Sequence, residues 1–373
     1  MLIRQSILAQ NSSMESNPLA RSYSIPFSSL MEYEAVLGNL KDALGLSTNP
    51  QYLPEEVIEV LFEEKLFKLF IPKSLGGLEK NLPEASRLIE AIAELDGSTA
   101  WLVQIGSGGG YFTPFLHPEF FQTHVSSQRF VIAGSGAPAG TGTPNKNELI
   151  VSGSWKYASG SEYASLFTAV VKTPDDRWQA IALFPEEVQL HHDWNALGMR
   201  ATQSHTFSCE EIQIPENRLF TIGEKKQSFD YPVYDFPFDS FARALIVPVV
   251  IGCYRHFIEV LYRMEMEKAH RDDYRHLRLL RLIEQSVERS DVMVRHFYEV
   301  LDQTWAVFLS GEAMEDEKNK FDRMAMETSK ALYRETSDLF YHSGMMAVEK
   351  KESEIVKIWN DLLTVCQHYY LKS

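Results

Sequence analysis

Cysteine is scarce in this chain: Cys209, Cys253 and Cys366 are scattered and odd in number. That pattern argues against a disulfide framework and against a cysteine-built metal cluster, and it fits buried thiols in a reducing compartment. Long apolar runs are missing too. None reaches the ~20 residues of a membrane-spanning helix, and the longest, Ala244 to Cys253, is interrupted by Pro248 and reads as a buried helix. Positive charge is in deficit: the net charge is -15, with no Lys/Arg-dense stripe interleaved with aromatics, which argues against a nucleic-acid partner. No G-x-G-x-x-G opens a helix after a strand. Gly134 and Gly136 are followed by Ala137-Pro138, which a helix there would not accept, so a nicotinamide site of the Rossmann type is disfavoured. Internal repeats and low-complexity tracts are absent. The first residues, 1–29, lack the sustained apolar core of a signal peptide and read as a loose N-terminal arm of a cytoplasmic protein.

What is present is an ordinary globular composition spread over more than one core. At 373 residues the chain is long for a single core, so two or three packed layers are expected. Residues 30–125 carry a helical period: Val57, Val60, Leu61, Leu66 and Leu69 after Pro54, then Ala85, Leu88, Ile89, Ile92 and Ala93 after Pro83, ending near Asp96-Gly97. Between residues 126 and 230 the period becomes alternating. Strand-length runs at Phe130 to Ala133, Glu148 to Ser152, Leu166 to Lys172, Trp178 to Phe184 and Phe207 to Ile214 predict a central antiparallel β-sandwich or barrel. Residues 231–373 return to helices, predicted over Ser240 to Lys268, Tyr274 to Phe308, Asp316 to Tyr341 and Ser353 to Leu371, the makings of a four-helix bundle. The fold class is α+β.

The stretch Gly153-Ser154-Trp155-Lys156-Tyr157-Ala158-Ser159-Gly160 reads as a turn between two strands, with an indole and a hydroxyl side by side. A planar polar ring could bind there; the alternative is a hairpin whose Trp packs the core. Further motifs stand in order around it: Leu75-Gly76-Gly77, Asp96-Gly97-Ser98-Thr99-Ala100-Trp101, Gly134-Ser135-Gly136-Ala137-Pro138-Ala139-Gly140, and Trp194-Asn195-Ala196-Leu197-Gly198-Met199-Arg200-Ala201-Thr202-Gln203-Ser204. The set resembles the acyl-CoA dehydrogenase superfamily over nearly the whole chain after Tyr33. The closing Trp359-Asn360-Asp361 and Gln367-His368 resemble its flavin-dependent, two-component monooxygenase branch.

The resemblance implies a flavin, FAD or reduced FMN, lying between the strand domain and the C-terminal bundle. Ser135, Gly136, Thr143, Trp155, Ala158 and Ser159 would contact it or wall its pocket, with Trp101, Gln104, Ser107, Tyr341 and Tyr369 toward a small-molecule substrate. It assigns the chemistry to His368 and Ser159, the histidine serving as acid/base or hydrogen-bonding group beside the reactive ring, a task suited to a side chain that titrates near neutrality. His368 and Asp361, seven residues apart, would share a helix face. No metal site is expected, since His191 and His192 lack a convincing ligand set. A separate flavin reductase and a homotetramer or dimer are also implied.

Two departures weigh on flavin retention: the segment after Arg271 lacks an Arg-then-Phe-Gly pattern, and Asn360 stands where an Arg is expected. One alternative is an FAD-containing acyl-CoA dehydrogenase. Against it, His368-Tyr369-Tyr370 holds no acid where a carboxylate base would stand, although Glu259, Glu265, Glu267 and Glu299 remain candidates. The other is a non-catalytic member that has lost its flavin.

Overall fold

The structure is a computed structural model describing residues 33–47, 49–267, 274–349 and 353–372. The expected N-terminal arm, residues 1–29, and the segment 268–273 around Arg271 lie outside the described residues. The chain begins with helices α1 (Glu34–Leu44), α2 (Glu55–Glu63), α3 (Leu82–Ala93), α4 (Gly97–Gly108) and α5 (Pro118–Val125). Their starts follow from local chemistry. Asn81 caps α3 by accepting from Glu84 N at 2.9 Å, with Pro83 inside the first turn, and Asp96 caps α4 by accepting from Thr99 N at 2.8 Å.

Helix α4 is buried on nearly all sides. Its glycines set the packing distance: a Cβ on Gly97 would sit 2.7 Å from Cys253 Sγ, and one on Gly106 would sit 2.5 Å from the Phe67 ring. No larger residue fits at either place without displacing a neighbour.

Strands β1 (Ile132–Asn145), β2 (Glu148–Ala158), β3 (Leu166–Lys172), β4 (Trp178–Leu183), β5 (Gln189–Leu190), β6 (His205–Pro215) and β7 (Leu219–Phe220) form a seven-stranded sheet in the order β5-β6-β2-β1-β3-β4-β7. All neighbours are antiparallel except β1 and β3, which run parallel. The reason is the route of the chain. After the tight β1–β2 hairpin, the connection from Ser159 to Ser165 crosses from the end of β2 to the other side of β1 and starts β3 beside it.

The strand expected to end at Ala133 instead runs on through Gly134 to Gly140 as part of the 14-residue β1. Its glycines make room for an indole: Cβ atoms on Gly140 and Gly153 would lie 2.3 and 2.6 Å from the Trp155 ring. Trp155 fills the sheet core, stacked on Phe207 at 5.2 Å, with its Nε1–H donating to Val170 O at 2.9 Å. The bland reading of the Gly153-to-Gly160 stretch therefore holds for Trp155. β1 has one flaw. Its ladder to β3 is interrupted between Gly134 and Pro138 and its ladder to β2 begins only at Gly140, leaving Ser135, Gly136 and Ala137 without a ladder partner on either side.

The C-terminal region holds α6 (Phe238–Met266), α7 (Tyr274–Ser310), α8 (Glu315–His342), the short α9 (Met345–Val348) and α10 (Glu354–Val365). Helix α6 is long and apolar enough to cross a membrane, yet 89% of its apolar window is buried inside the fold. Pro248 removes the donor that would satisfy Ala244 O, and the Ser86 hydroxyl of α3 lies 2.8 Å from that carbonyl. The three cysteines are unpaired and buried. Helix α10 stops at Val365, short of the expected Leu371, because the chain turns extended at His368 before a single 3-10 turn over Tyr369–Leu371. His368 and Asp361 consequently do not share a helix face.

Candidate active site

Three segments distant in sequence are fastened together around the start of α4. The Asp96 carboxylate caps the helix and also accepts from Lys357 Nζ at 2.6 Å; the same ammonium reaches Asp361 Oδ2 at 3.0 Å. Asp361 in turn accepts from the backbone N–H of Met199. Lys357 and the hydrogen bonds from Thr99 hold Asp96 below the usual carboxylate range despite its burial. Burial, helped by the Asp96 charge, pushes Asp361 upward. Beside this latch the loop after β5 lies against α10 so closely that a Cβ on Gly198 would fall 1.9 Å from Asn360 O, and Gly198 N–H donates to Thr364 Oγ1 at 3.0 Å. Gly198→Ala must push the loop off α10, with an expected loss of about 1–3 kcal/mol in urea unfolding; an unchanged midpoint would refute the packing.

From the latch a chain of hydroxyls leads to the indole of Trp101. Trp101 Nε1–H donates to Ser159 Oγ at 2.9 Å, Ser159 Oγ meets Ser204 Oγ at 2.7 Å, Ser204 Oγ meets Thr202 Oγ1 at 2.7 Å, and Thr202 donates to Met199 O at 2.8 Å. All four side chains are buried. On its other side Trp101 touches His368 edge-on at 5.5 Å, and His368 stacks on Tyr370 at 5.7 Å. The aromatic contacts continue from Tyr370 to Phe238 and from Phe238 to Tyr111 and Phe112. Burial lowers His368 to about 4, so the imidazole is neutral near pH 7. Nδ1 of the imidazole is fully buried without a hydrogen-bond partner among the described residues. A buried polar atom without a partner within the chain is uncommon.

The β layer, α4 and the C-terminal turn thus converge on Ser159, Trp101 and His368. Gln104 and Ser107 lie on the same buried helix, and the Gln104 Nε2 atom is buried without a partner. Ser135 is half-buried and Gly136 exposed, both in the ladder gap of β1, whereas Thr143 is exposed near the far end of that strand. Trp155 and Ala158, expected at the pocket, belong to the sheet core. Tyr341 and Tyr369, expected as pocket walls, are 81% and 71% exposed. Their place among the aromatics is taken by Tyr370 and Phe238. Lys357, Thr202 and Tyr370 escaped the sequence reading. Thr202 and Ser204 stand inside a motif already quoted, and Lys357 stands four residues before Asp361, which was the available signal.

Elsewhere Glu162, His192 and His205 gather with donor atoms within 4.8 Å of one another. Hydrogen bonding decides what His205 can offer. Its Nδ1 accepts from Trp194 N at 3.0 Å, so Nε2 carries the proton and donates to Gln203 Oε1 at 2.8 Å. The Gln203 amide is fixed by its Nε2 donating to Gln51 O at 2.6 Å. The lone pair a metal would need is already used. Among the carboxylates held open for a dehydrogenase base, Glu265 is buried against His276 at 3.2 Å and Glu299 is exposed beside His296.

No protein-family model matches the chain. It is 23% identical over 350 residues to an indole-3-acetate monooxygenase from Pseudomonas putida, with 91% of this chain and 90% of the relative covered. It is 22% identical over 354 residues to HsaA from Mycobacterium tuberculosis, the oxygenase subunit of a flavin-dependent monooxygenase, with 89% of each chain covered. Among solved structures, the 3-HSA hydroxylase from Rhodococcus sp. RHA1 superposes with a TM-score of 0.81 at 19% identity, covering 92% of this chain and 93% of the other. XiaF from Streptomyces sp., solved with FADH2 and glycerol, superposes with a TM-score of 0.78 at 17% identity, covering 100% of this chain and 94% of the other. The chain is thus a homologue of the flavin-dependent monooxygenase oxygenase subunits and carries their acyl-CoA dehydrogenase-like fold.

Proposed function

We propose that the chain is the oxygenase component of a two-component flavin-dependent monooxygenase acting on a small aromatic substrate. The observation that carries this reading is His368: half-buried, neutral, packed between Trp101 and Tyr370, with its Nδ1 buried and without a partner among the described residues. The flavin fits the groups present. Ser135 and Gly136 leave backbone N–H groups outside the sheet ladder for the edge of a polar ring, and Ser159 stands at the junction of β layer and α4. When bound, reduced flavin supplies the electrons that activate dioxygen, one oxygen atom passing to the substrate and the other leaving as water.

The chain's own residues do the rest. Trp101, Tyr370, Phe238 and Tyr111 give a water-poor, flat-walled setting for an aromatic ring. His368 holds or moves a proton where oxygen is handled. Asn360, in the place of the expected Arg, is engaged in backbone packing on Gly198, which favours a flavin delivered in reduced form by a separate reductase over one held by its diphosphate.

Self-association is supported by exposed apolar side chains along α7 to α9, namely Tyr274, Leu277, Tyr341, Met345 and Val348. A reducing, cytoplasmic setting accords with three free thiols. Protein mixed with chemically reduced FMN or FAD, isotopically labelled dioxygen and indole-3-acetate as the first probe should yield a product carrying the label. Free flavin reoxidation unaltered by the protein, together with no flavin bound at micromolar concentration, would point instead to a member that has lost its flavin.

A further inference from the structure

Helix α4 runs out through a cluster of glycines, and packing explains every one of them but Gly108. A Cβ on Gly106 would sit 2.5 Å from the Phe67 ring, one on Gly109 2.7 Å from Ile132, and one on Gly110 3.1 Å from Ile71. Gly108 has φ -58° and ψ -32°, which suit any residue, and beyond its own helix a Cβ there would meet only Leu245, at 3.6 Å. Glycine weakens a helix relative to alanine, so neither backbone nor packing accounts for its presence.

Contacts close a circuit around that spot. Trp101 touches His368 edge-on at 5.5 Å, His368 stacks on Tyr370 at 5.7 Å, and Tyr370 meets Phe238 at 6.4 Å. Leu245 lies about two turns from Phe238 on one face of α6, and Gly108 lies about two turns from Trp101 on one face of α4. Ile105, Gly108, Phe238, His368 and Tyr370 all stay partly exposed, although α4 is otherwise buried. Gln104 shares the α4 face, and its Nε2 is fully buried with no partner among the described residues. A side chain at 108 would lean back over the turn that bears Gln104 and Ile105. Its omission leaves open space beside an unused N–H donor, whose burial is costly until an acceptor arrives.

We propose that Gln104 and Gly108 are specificity-determining residues: Gly108 leaves room between α4 and α6 for an aromatic substrate, and the Gln104 amide donates to an uncharged oxygen acceptor, a carbonyl or an amide, carried by that substrate. This rests on the monooxygenase reading above and narrows its substrate class. The circuit offers no charge to an anion. His368 is neutral near pH 7, and Arg243, 5.7 Å from the Tyr370 ring centre, is paired with Asp322 at 3.5 Å.

The test is anaerobic equilibrium dialysis of indole-3-acetamide, indole-3-acetate and 3-ethylindole against the protein, with and without dithionite-reduced FMN. The wild type should bind the acetamide about tenfold more tightly than 3-ethylindole, the worth of one hydrogen bond to a buried donor, and more tightly than the acetate. Gln104→Leu should erase that advantage by weakening the acetamide alone, whereas a merely structural role would weaken both. Gly108→Leu should weaken all three probes by about tenfold or more. Gly108→Ala should melt no lower than the wild type, and Gly106→Ala should melt lower. A ratio of acetamide to 3-ethylindole affinity that is unaltered in Gln104→Leu overturns the donor role, and tighter binding of the acetate overturns the uncharged class. Full affinity in Gly108→Leu, or wild-type protein that binds none of the probes even with reduced FMN, overturns the subsite. Protein that binds the probes as expected but not reduced FMN overturns the monooxygenase reading and leaves the subsite standing. If Gly108→Leu fails to fold, the ratio in Gln104→Leu decides the matter alone.

Discussion

Replacing His368 with alanine should lower substrate oxygenation by roughly 10²-fold or more, the range lost with a positioned acid/base group, while the protein stays folded. The imidazole Nδ1 has no hydrogen-bond partner among the described residues whose loss would unfold the chain, and the ring packs on two aromatic rings. Rapid-mixing measurement of product formation against reduced-flavin binding separates the two effects: turnover should fall and flavin affinity should change little. A fall confined to flavin affinity would assign the residue to binding.

The pH dependence follows from burial. With the folded imidazole lowered to about 4, the free enzyme should show no titration of this group between about pH 6 and pH 8. Below the unfolded value of about 6.5 the unfolded chain takes up a proton that the folded imidazole refuses, so His368 weakens the fold as acid is added. His368→Ala should therefore lose less melting temperature on acidification than the wild type.

Lys357→Met should be the most damaging single change to stability. It leaves Asp96 and Asp361, 7% and 2% exposed, facing each other without a cation. Removing one partner from a fully buried ion pair costs about 3–5 kcal/mol. The Lys357 side chain is 35% exposed, so the expected loss is nearer ~2–3 kcal/mol, or roughly 3–4 °C in melting temperature for a chain of this length.

The sign of its pH dependence is distinctive. Without the ammonium, burial raises both carboxyls above their unfolded values, the folded state binds more protons than the unfolded one, and stability is lost as pH rises. The variant should be closer to wild type at about pH 5 than at about pH 8. A deficit that grows toward acid would show that the latch is not electrostatic.

The helices were legible because period and caps agree: Asn81 with Pro83, and Asp96 before Gly97, announce α3 and α4 where they begin. β1 was not. Its Gly and Pro content reads as loop, yet it is a strand whose glycines accommodate Trp155 from the neighbouring strand, a tertiary demand that no local window contains. The end of α10 was missed for a similar reason, since the aromatic packing of His368 and Tyr370 overrides a helical pattern that would have continued.

Of the residues expected at the site, Ser159, Trp101 and His368, each in a short motif, lie together in the structure. The latch was not found, because Lys357 and Asp96 are 261 positions apart and nothing local to either announces the other. Trp155 drew attention by its neighbours and turned out to serve the sheet.

The close fit of α4 limits how such a protein diversifies. With Gly97 held against Cys253 and Gly106 against Phe67, the rod has little room to approach its neighbours more closely, and an added side chain at either position would push it away. Gly108 is different: an added methyl there would meet Leu245 at an ordinary 3.6 Å. On the proposed function, a combinatorial library at positions 104 and 108, with each variant's melting temperature checked because Gln104 is buried, would test whether this face shapes recognition.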